Sequence, residues 1–173
     1  RYKHFTHEGG IATPLIVHWP AGIPAERRGG LVHTPGHVVD VMPTVLEATG
    51  ATYPRERNAQ VILPAAGRSL LPAFAGRTVD RREPIFFAHE GNKGVRDGRW
   101  KLVQKHLGAW ELYDLEADRT ELNDLAASQP ERVQALAARW ETWAAATFVD
   151  PWTGGARRDW GAPLNANDER PGS

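Results

Sequence analysis

Lys93-Gly94-Val95-Arg96-Asp97-Gly98-Arg99-Trp100-Lys101-Leu102-Val103-Gln104 sets two short, partly alternating runs on either side of Asp-Gly. Asp-Gly between such runs is a strong local sign of a β-hairpin, because tight two-residue loops need positive φ and glycine reaches it without a steric cost. Upstream, Pro84-Ile85-Phe86-Phe87-Ala88-His89 reads as a strand, and downstream Ala109-Trp110-Glu111-Leu112-Tyr113-Asp114 reads as another after the Leu107-Gly108 break. The four runs predict a small antiparallel meander in which Trp100, Leu102, Trp110 and Leu112 are cross-strand partners, worth roughly 0.2–1 kcal/mol per pair. A helix follows. Ser128 and Glu131 have capping-box spacing, Pro130 falls in the first turn, and Val133, Leu136, Ala137, Trp140 and Ala144 recur at helical spacing. One helix face therefore packs across the meander, giving an α+β lobe over residues 84–147.

Working outward, Ile11 to Trp19 is a nearly continuous apolar run with Pro14 near its start, the pattern of a strand buried on both faces. Gly9-Gly10 ahead of it suggests a turn with positive φ. Val38 to Gly50 predicts a short helix with Asp40 as its cap, Gly50 as its left-handed terminator, and Met42, Val45, Leu46 and Thr49 on its buried side. Residues 51–83 read as a connecting loop and a boundary between subdomains, and residues 148–173 as a tail either docked through Trp152 and Trp160 or partly disordered.

The 173 residues carry 21 basic and 21 acidic side chains and no cysteine. A formal charge of zero argues against nucleic acid or an anionic membrane surface as partner. The absence of cysteine excludes disulfides, thiolate metal sites and a cysteine nucleophile within these residues. No window approaches the roughly 18 apolar residues of a membrane span. His4 and His7, and His33 and His37, are spaced without a third ligand at familiar metal spacing, so no metal site is assigned. His89-Glu90-Gly91-Asn92-Lys93 gathers polar groups around a glycine at a strand end, while Glu111, Asp114, Glu116 and Asp118 read as a solvated acidic face. No nucleophile elbow or glycine-rich phosphate loop is present.

Several segments, taken in order, resemble one family. Lys3-His4-Phe5-Thr6-His7-Glu8-Gly9-Gly10-Ile11 with Pro14-Leu15-Ile16-Val17-His18-Trp19-Pro20 resembles the K-x-x-x-x-E-G-G segment of type I sulfatases, in the alkaline-phosphatase-like superfamily. Asp40-Val41-Met42-Pro43-Thr44-Val45-Leu46 is similar to that family's D-x-x-P-T-L-L helix, and Gly67-Arg68-Ser69-Leu70-Leu71-Pro72 to its G-x-S-L-x-P loop. His89-Glu90-Gly91-Asn92, Val95 to Leu102 and Glu111-Leu112-Tyr113-Asp114-Leu115 resemble the C-terminal sheet of bacterial arylsulfatases.

The resemblance implies a fold class of an α/β fragment plus α+β. Residues 1–50 would end a large α/β sulfatase domain, residues 51–83 would connect, and residues 84–147 would form the small antiparallel-sheet subdomain. It implies hydrolysis of aryl or carbohydrate sulfate esters by a formylglycine nucleophile with Ca²⁺, both supplied by an N-terminal sulfatase domain not represented in these residues, so that this chain by itself is expected to be inactive. Lys3, by its five-residue offset from Glu8, matches the family's sulfate-binding lysine and is the expected catalytic residue. His89 and Asn92 are expected at the pocket rim, on the organic part of the substrate. A phosphonate or phosphate monoester hydrolase of the same superfamily and a non-enzymatic binding or scaffolding lobe are the alternatives. The family resemblance is compatible with a periplasmic or secreted location, and the sequence assigns none.

Overall fold

The structure is a computed structural model that describes residues 2–152, so the predicted tail falls almost wholly outside the described residues. The chain divides into two compact units, one formed from the described parts of Arg1–Ala12 and Phe86–Ser173, the other from Thr13–Ile85.

The first unit is built on the meander. Strands β3 (Ile85–His89), β4 (Asn92–Asp97), β5 (Trp100–Gln104) and β6 (Trp110–Asp114) lie in the order β3-β4-β5-β6. Glu90 and Gly91 both have positive φ, the pattern of a two-residue type I′ turn. The predicted hairpin forms one residue out of place: Asp97 pairs with Trp100, and Gly98-Arg99 make the loop. Gly98 alone takes positive φ there, as the first central residue of a type II′ turn requires. Leu102 faces Leu112 across β5 and β6, and Val95 faces Leu102 across β4 and β5.

Helix α4 (Pro130–Ala146) covers one face of the sheet. Its Leu136, Trp140 and Ala144 join Val95, Leu102 and Leu112 in a single apolar core, with Phe86, Trp100, Trp110 and Trp143 at its margin. Trp140 is also held by direction: its indole N–H donates to Phe87 O at 2.9 Å, and the Lys93 ammonium lies 4.4 Å from the ring centre. The expected capping box does not form. Gln129 occupies the N-cap without a side-chain bond, and Ser128 Oγ donates backward to Leu125 O, a local turn bond that competes with capping.

The Ile11–Trp19 strand, which would run from the first unit into the second, is not observed. Glu8–Ile11 is a single helical turn, α1, and residues 12–19 have no regular structure, with Ile16 89% exposed. A strand exists only through its ladder, and no other described segment pairs with this run. Nor do the paired glycines provide positive φ. A Cβ on Gly10 would stand 2.0 Å from Phe5 O, so close backbone approach explains the glycine there. Helix α2 (Val41–Thr49) ends at Gly50 in the left-handed region, as expected, but Met42 and Val45 are half exposed and Thr44 is its buried residue. The expected loop over 51–83 contains a two-strand ribbon, β1 (Glu56–Arg57) with β2 (Gln60–Val61), and a short helix, α3 (Leu71–Phe74).

The two family-like motifs of this unit interlock. Asp40 is fully buried, and instead of capping α2 through its side chain it accepts from His37 N at 2.8 Å and Arg68 N at 2.8 Å, and pairs with the Arg81 guanidinium. Thr44 Oγ accepts from Leu70 N at 2.9 Å. Gly67 has φ of 91°, and a Cβ there would meet Val39 O at 2.4 Å, so only glycine lets the second motif approach the first.

Two predictions follow from this packing. Trp140→Ala should lower the unfolding free energy by about 3–5 kcal/mol, and Trp140→Phe by distinctly less, because it keeps most of the buried ring and loses only the indole bond; urea titration of both variants checks this. His37 accepts Val39 N–H on Nδ1, and burial, which outweighs the opposing pull of Asp40, lowers its pKa below the ordinary 6.5, with Arg81 adding to the shift. The folded state thus binds fewer protons than the unfolded one, so this group costs stability as pH falls below about 6.5. His37→Asn, which preserves an acceptor for Val39, should show a smaller loss of stability between pH 7.5 and pH 5.5 than the parent chain; equal losses would assign the dependence elsewhere.

Candidate functional site

Residues 4–8 lie on the face of the sheet opposite α4. Period two along the strands sends Asn92, Gly94, Arg96, Lys101, Val103, Glu111 and Tyr113 to this face, and a strap of chain carrying His4, Thr6, His7 and Glu8 lies on it. Thr6 Oγ donates to Lys93 O at 2.7 Å, directly above Gly94, where a Cβ would come within 3.0 Å of the threonine.

The centre of this face is ionic. Lys101 is completely buried, and its ammonium lies 2.8 Å from Glu8 Oε1 and 2.8 Å from Glu121 Oε1. Glu121 closes the triangle by accepting Glu8 N–H at 2.8 Å through its other oxygen. Two carboxylates around one ammonium, one of them hydrogen-bonded to it and the other paired by charge, compensate its removal from water, which a single partner would not. Beside it, His7 Nε2 lies 2.9 Å from Glu111 Oε2, to which the Tyr113 hydroxyl also donates at 2.7 Å, and Lys105 pairs with Glu111 Oε1 at 3.0 Å. Burial first, and then the bond to Glu111, push the Tyr113 phenol well above its ordinary range, so it remains a neutral donor. The expected solvated acidic face is therefore corrected: Glu111 lies within this network and Asp114 is buried against Arg99, whose Nε donates to it at 2.8 Å. Asp118 accepts Leu122 N–H and Asn123 N–H, and Glu116 lies 3.3 Å from Arg99.

At the end of the strap, Lys3 is exposed. His4 Nδ1 lies 2.9 Å from Glu90 Oε2, and the His4 and His89 rings stack with centroids 5.9 Å apart. Asn92, buried, donates to His4 O at 2.8 Å and His89 O at 3.0 Å, and accepts His106 N–H at 3.1 Å. Of the residues singled out in the sequence, Lys3, His89 and Asn92 thus belong to one unit, and Asn92 ties the backbone next to Lys3 to that of His89. Sequence reasoning missed Lys101, Glu121 and the pairing of His4 with Glu90, because no local pattern connects residues 20 to 93 positions apart; the polar cluster at His89-Glu90 was the only available sign.

Residues 2–142 match the family model described as N-sulphoglucosamine sulphohydrolase, C-terminal. The chain belongs to this family, the C-terminal region of sulfatases. It is 33% identical over 107 residues to human arylsulfatase D, covering 61% of this chain and 16% of that protein. It is 33% identical over 123 residues to choline-sulfatase of Rhizobium meliloti, covering 68% and 22%, and 29% identical over 155 residues to a sulfatase of Schizosaccharomyces pombe, covering 85% and 27%. The chain thus spans about a quarter or less of the length of these relatives. Among solved structures, a protein from a Bacteroides thetaiotaomicron locus for metabolism of multiple glycosaminoglycans superposes with a TM-score of 0.66 at 21% identity, over 83% of this chain and 31% of that one. Ps i-CgsB superposes with a TM-score of 0.59 at 24% identity, over 73% and 27%. At these identities the likeness is one of fold.

The buried triangle makes one prediction. Lys101→Met should cost about 3–5 kcal/mol by leaving two carboxylates without their cation, and combining it with Glu8→Gln and Glu121→Gln should restore much of that loss; urea unfolding of the single and triple variants measures both.

Proposed function

We propose that these residues are the C-terminal part of a sulfatase that hydrolyses aryl or carbohydrate sulfate esters, working with an N-terminal sulfatase domain. The observation that carries the reading is the strap itself. Lys3 stands five residues before Glu8, and Glu8 is locked to the buried Lys101, so the exposed lysine adjoins a segment held against the sheet.

The family resemblance assigns the nucleophile to a formylglycine and the Lewis acid to Ca²⁺. The residues here fit neither group. There is no cysteine to become formylglycine. Ca²⁺ takes six to eight oxygen ligands, whereas among the described residues the enclosed carboxylates of Asp40, Glu8 and Glu111 are occupied by Arg81, Lys101 and His7 with Lys105. In this reading both groups come from other parts of the complete enzyme, and the present chain alone does not turn over substrate.

What this chain contributes is charge stabilisation and orientation. As a sulfate S–O bond breaks, negative charge grows on the sulfate and bridging oxygens, and an ammonium held against them stabilises the transition state more than the ground state. Lysine suits such a point contact. His89, exposed beside the strap, would meet the alcohol portion of the ester. Asn92, its amide bonded to protein on both sides, would act as a positioning residue that holds His89 and the strap together. Relatives named for aryl and choline sulfates share the sulfate and differ in the alcohol, which agrees with a division between Lys3 and the rim.

In the complete enzyme, Lys3→Ala should reduce kcat/KM for an aryl sulfate about 100- to 1,000-fold. Its melting temperature should barely move, since exposed substitutions usually change stability by about 0.5 kcal/mol or less. Turnover at the parent rate would remove Lys3 from the reaction. Asn92→Ala should change the ranking of substrates that differ in their alcohol; an unaltered profile would withdraw its assignment.

A further inference from the structure

We propose that His4, His89 and Glu90 form a binding site for a divalent metal of the zinc class, one that shares His89 with the substrate rim proposed above. One ligand atom from each residue lies within 4.8 Å of the other two. Two imidazole nitrogens and one carboxylate oxygen form a donor set that suits Zn²⁺, with a fourth tetrahedral position left to water. Bonds of roughly 2.0–2.1 Å place tetrahedral donors about 3.3 Å apart. His4 Nδ1 and Glu90 Oε2 already stand 2.9 Å apart, while His89 Nε2 is 3.9 Å from Glu90 Oε1. The remaining adjustment falls to His89, whose side chain is half exposed and has room to rotate.

The backbone beneath the cluster is fixed. The tight turn at Glu90-Gly91 sets His89 and Glu90 at the end of the β3–β4 hairpin, and His106 packs over Gly91, where a Cβ would come within 2.3 Å of its ring. Asn92 then joins the carbonyls of His4 and His89, the two residues that offer nitrogen ligands. Ligands carried on a braced backbone lose less freedom on binding than ligands on a loose loop.

The test is calorimetric titration of the full 173-residue chain with Zn²⁺, together with the visible spectrum of the Co²⁺-loaded chain as a measure of coordination geometry. The expected result is one saturable site per chain and a tetrahedral Co²⁺ spectrum. His89→Ala and Glu90→Gln should each weaken Zn²⁺ binding at least tenfold with far-ultraviolet circular dichroism unchanged, and His106→Ala should bind as the parent does. Absence of saturable binding, or equal affinity in His89→Ala, overturns the site. So does a loss in His106→Ala as large as that in His89→Ala, which would move the ligand set to a different face of the turn.

Discussion

The ammonium of Lys101, enclosed between Glu8 and Glu121, is the constraint on which the first unit depends. Its place follows from the pleat of β5. Leu102 faces the α4 core, so Lys101 must face the other way, and that face is closed by a strap from the far end of the sequence. An ammonium deprived of water requires compensating charge, and the carboxylates that supply it come from the strap and from the loop after β6. The sheet is therefore buried on both faces by different physics. One side is a nondirectional apolar core and the other a set of directional ionic and hydrogen-bonded contacts.

That difference bears on precision. An apolar strap could slide along a sheet face with modest loss, since burial depends on area. Here successive strap positions have distinct partners: His4 meets Glu90, Thr6 meets Lys93 O, His7 meets Glu111, and Glu8 meets Lys101. A shift by one residue would break all four together and leave buried charges uncompensated. The second unit uses the same device on a smaller scale, where the buried Asp40 carboxylate gathers two backbone N–H groups and a guanidinium from three stretches of chain.

The sequence was legible where structure is local. The alternation in residues 93–104 and 109–114 set out the meander, the repeat of Leu136, Trp140 and Ala144 set out α4 and its buried face, and Gly50 marked the end of α2. It misled where an outcome depends on distant partners. The apolar run from Ile11 to Trp19 has the composition of a strand but no ladder beside it. Glu111 and Asp114 look solvated until His7 and Arg99 are brought to them. Even the hairpin at Asp97-Gly98 slipped by one residue, because the pairing of Asp97 with Trp100 moved the loop onto Gly98-Arg99. At the candidate site, the offset between Lys3 and Glu8 was readable as a motif, but the reason for that offset was not, since it resides in Lys101 and Glu121.

The motif can now be understood as a division of labour along the strap. In the role proposed for Lys3, a cation that meets a sulfate must stay accessible, and an exposed lysine on a loose backbone is a poor tool because its stem samples many rotamers. Anchoring at positions 4, 6, 7 and 8 fixes the backbone next to Lys3. A glutamate at position 8 achieves this only if a cation lies beneath it, and glycine at position 10 only if the chain must pass close to Phe5 O. After its lysine, K-x-x-x-x-E-G-G thus carries the parts that hold the strap in place.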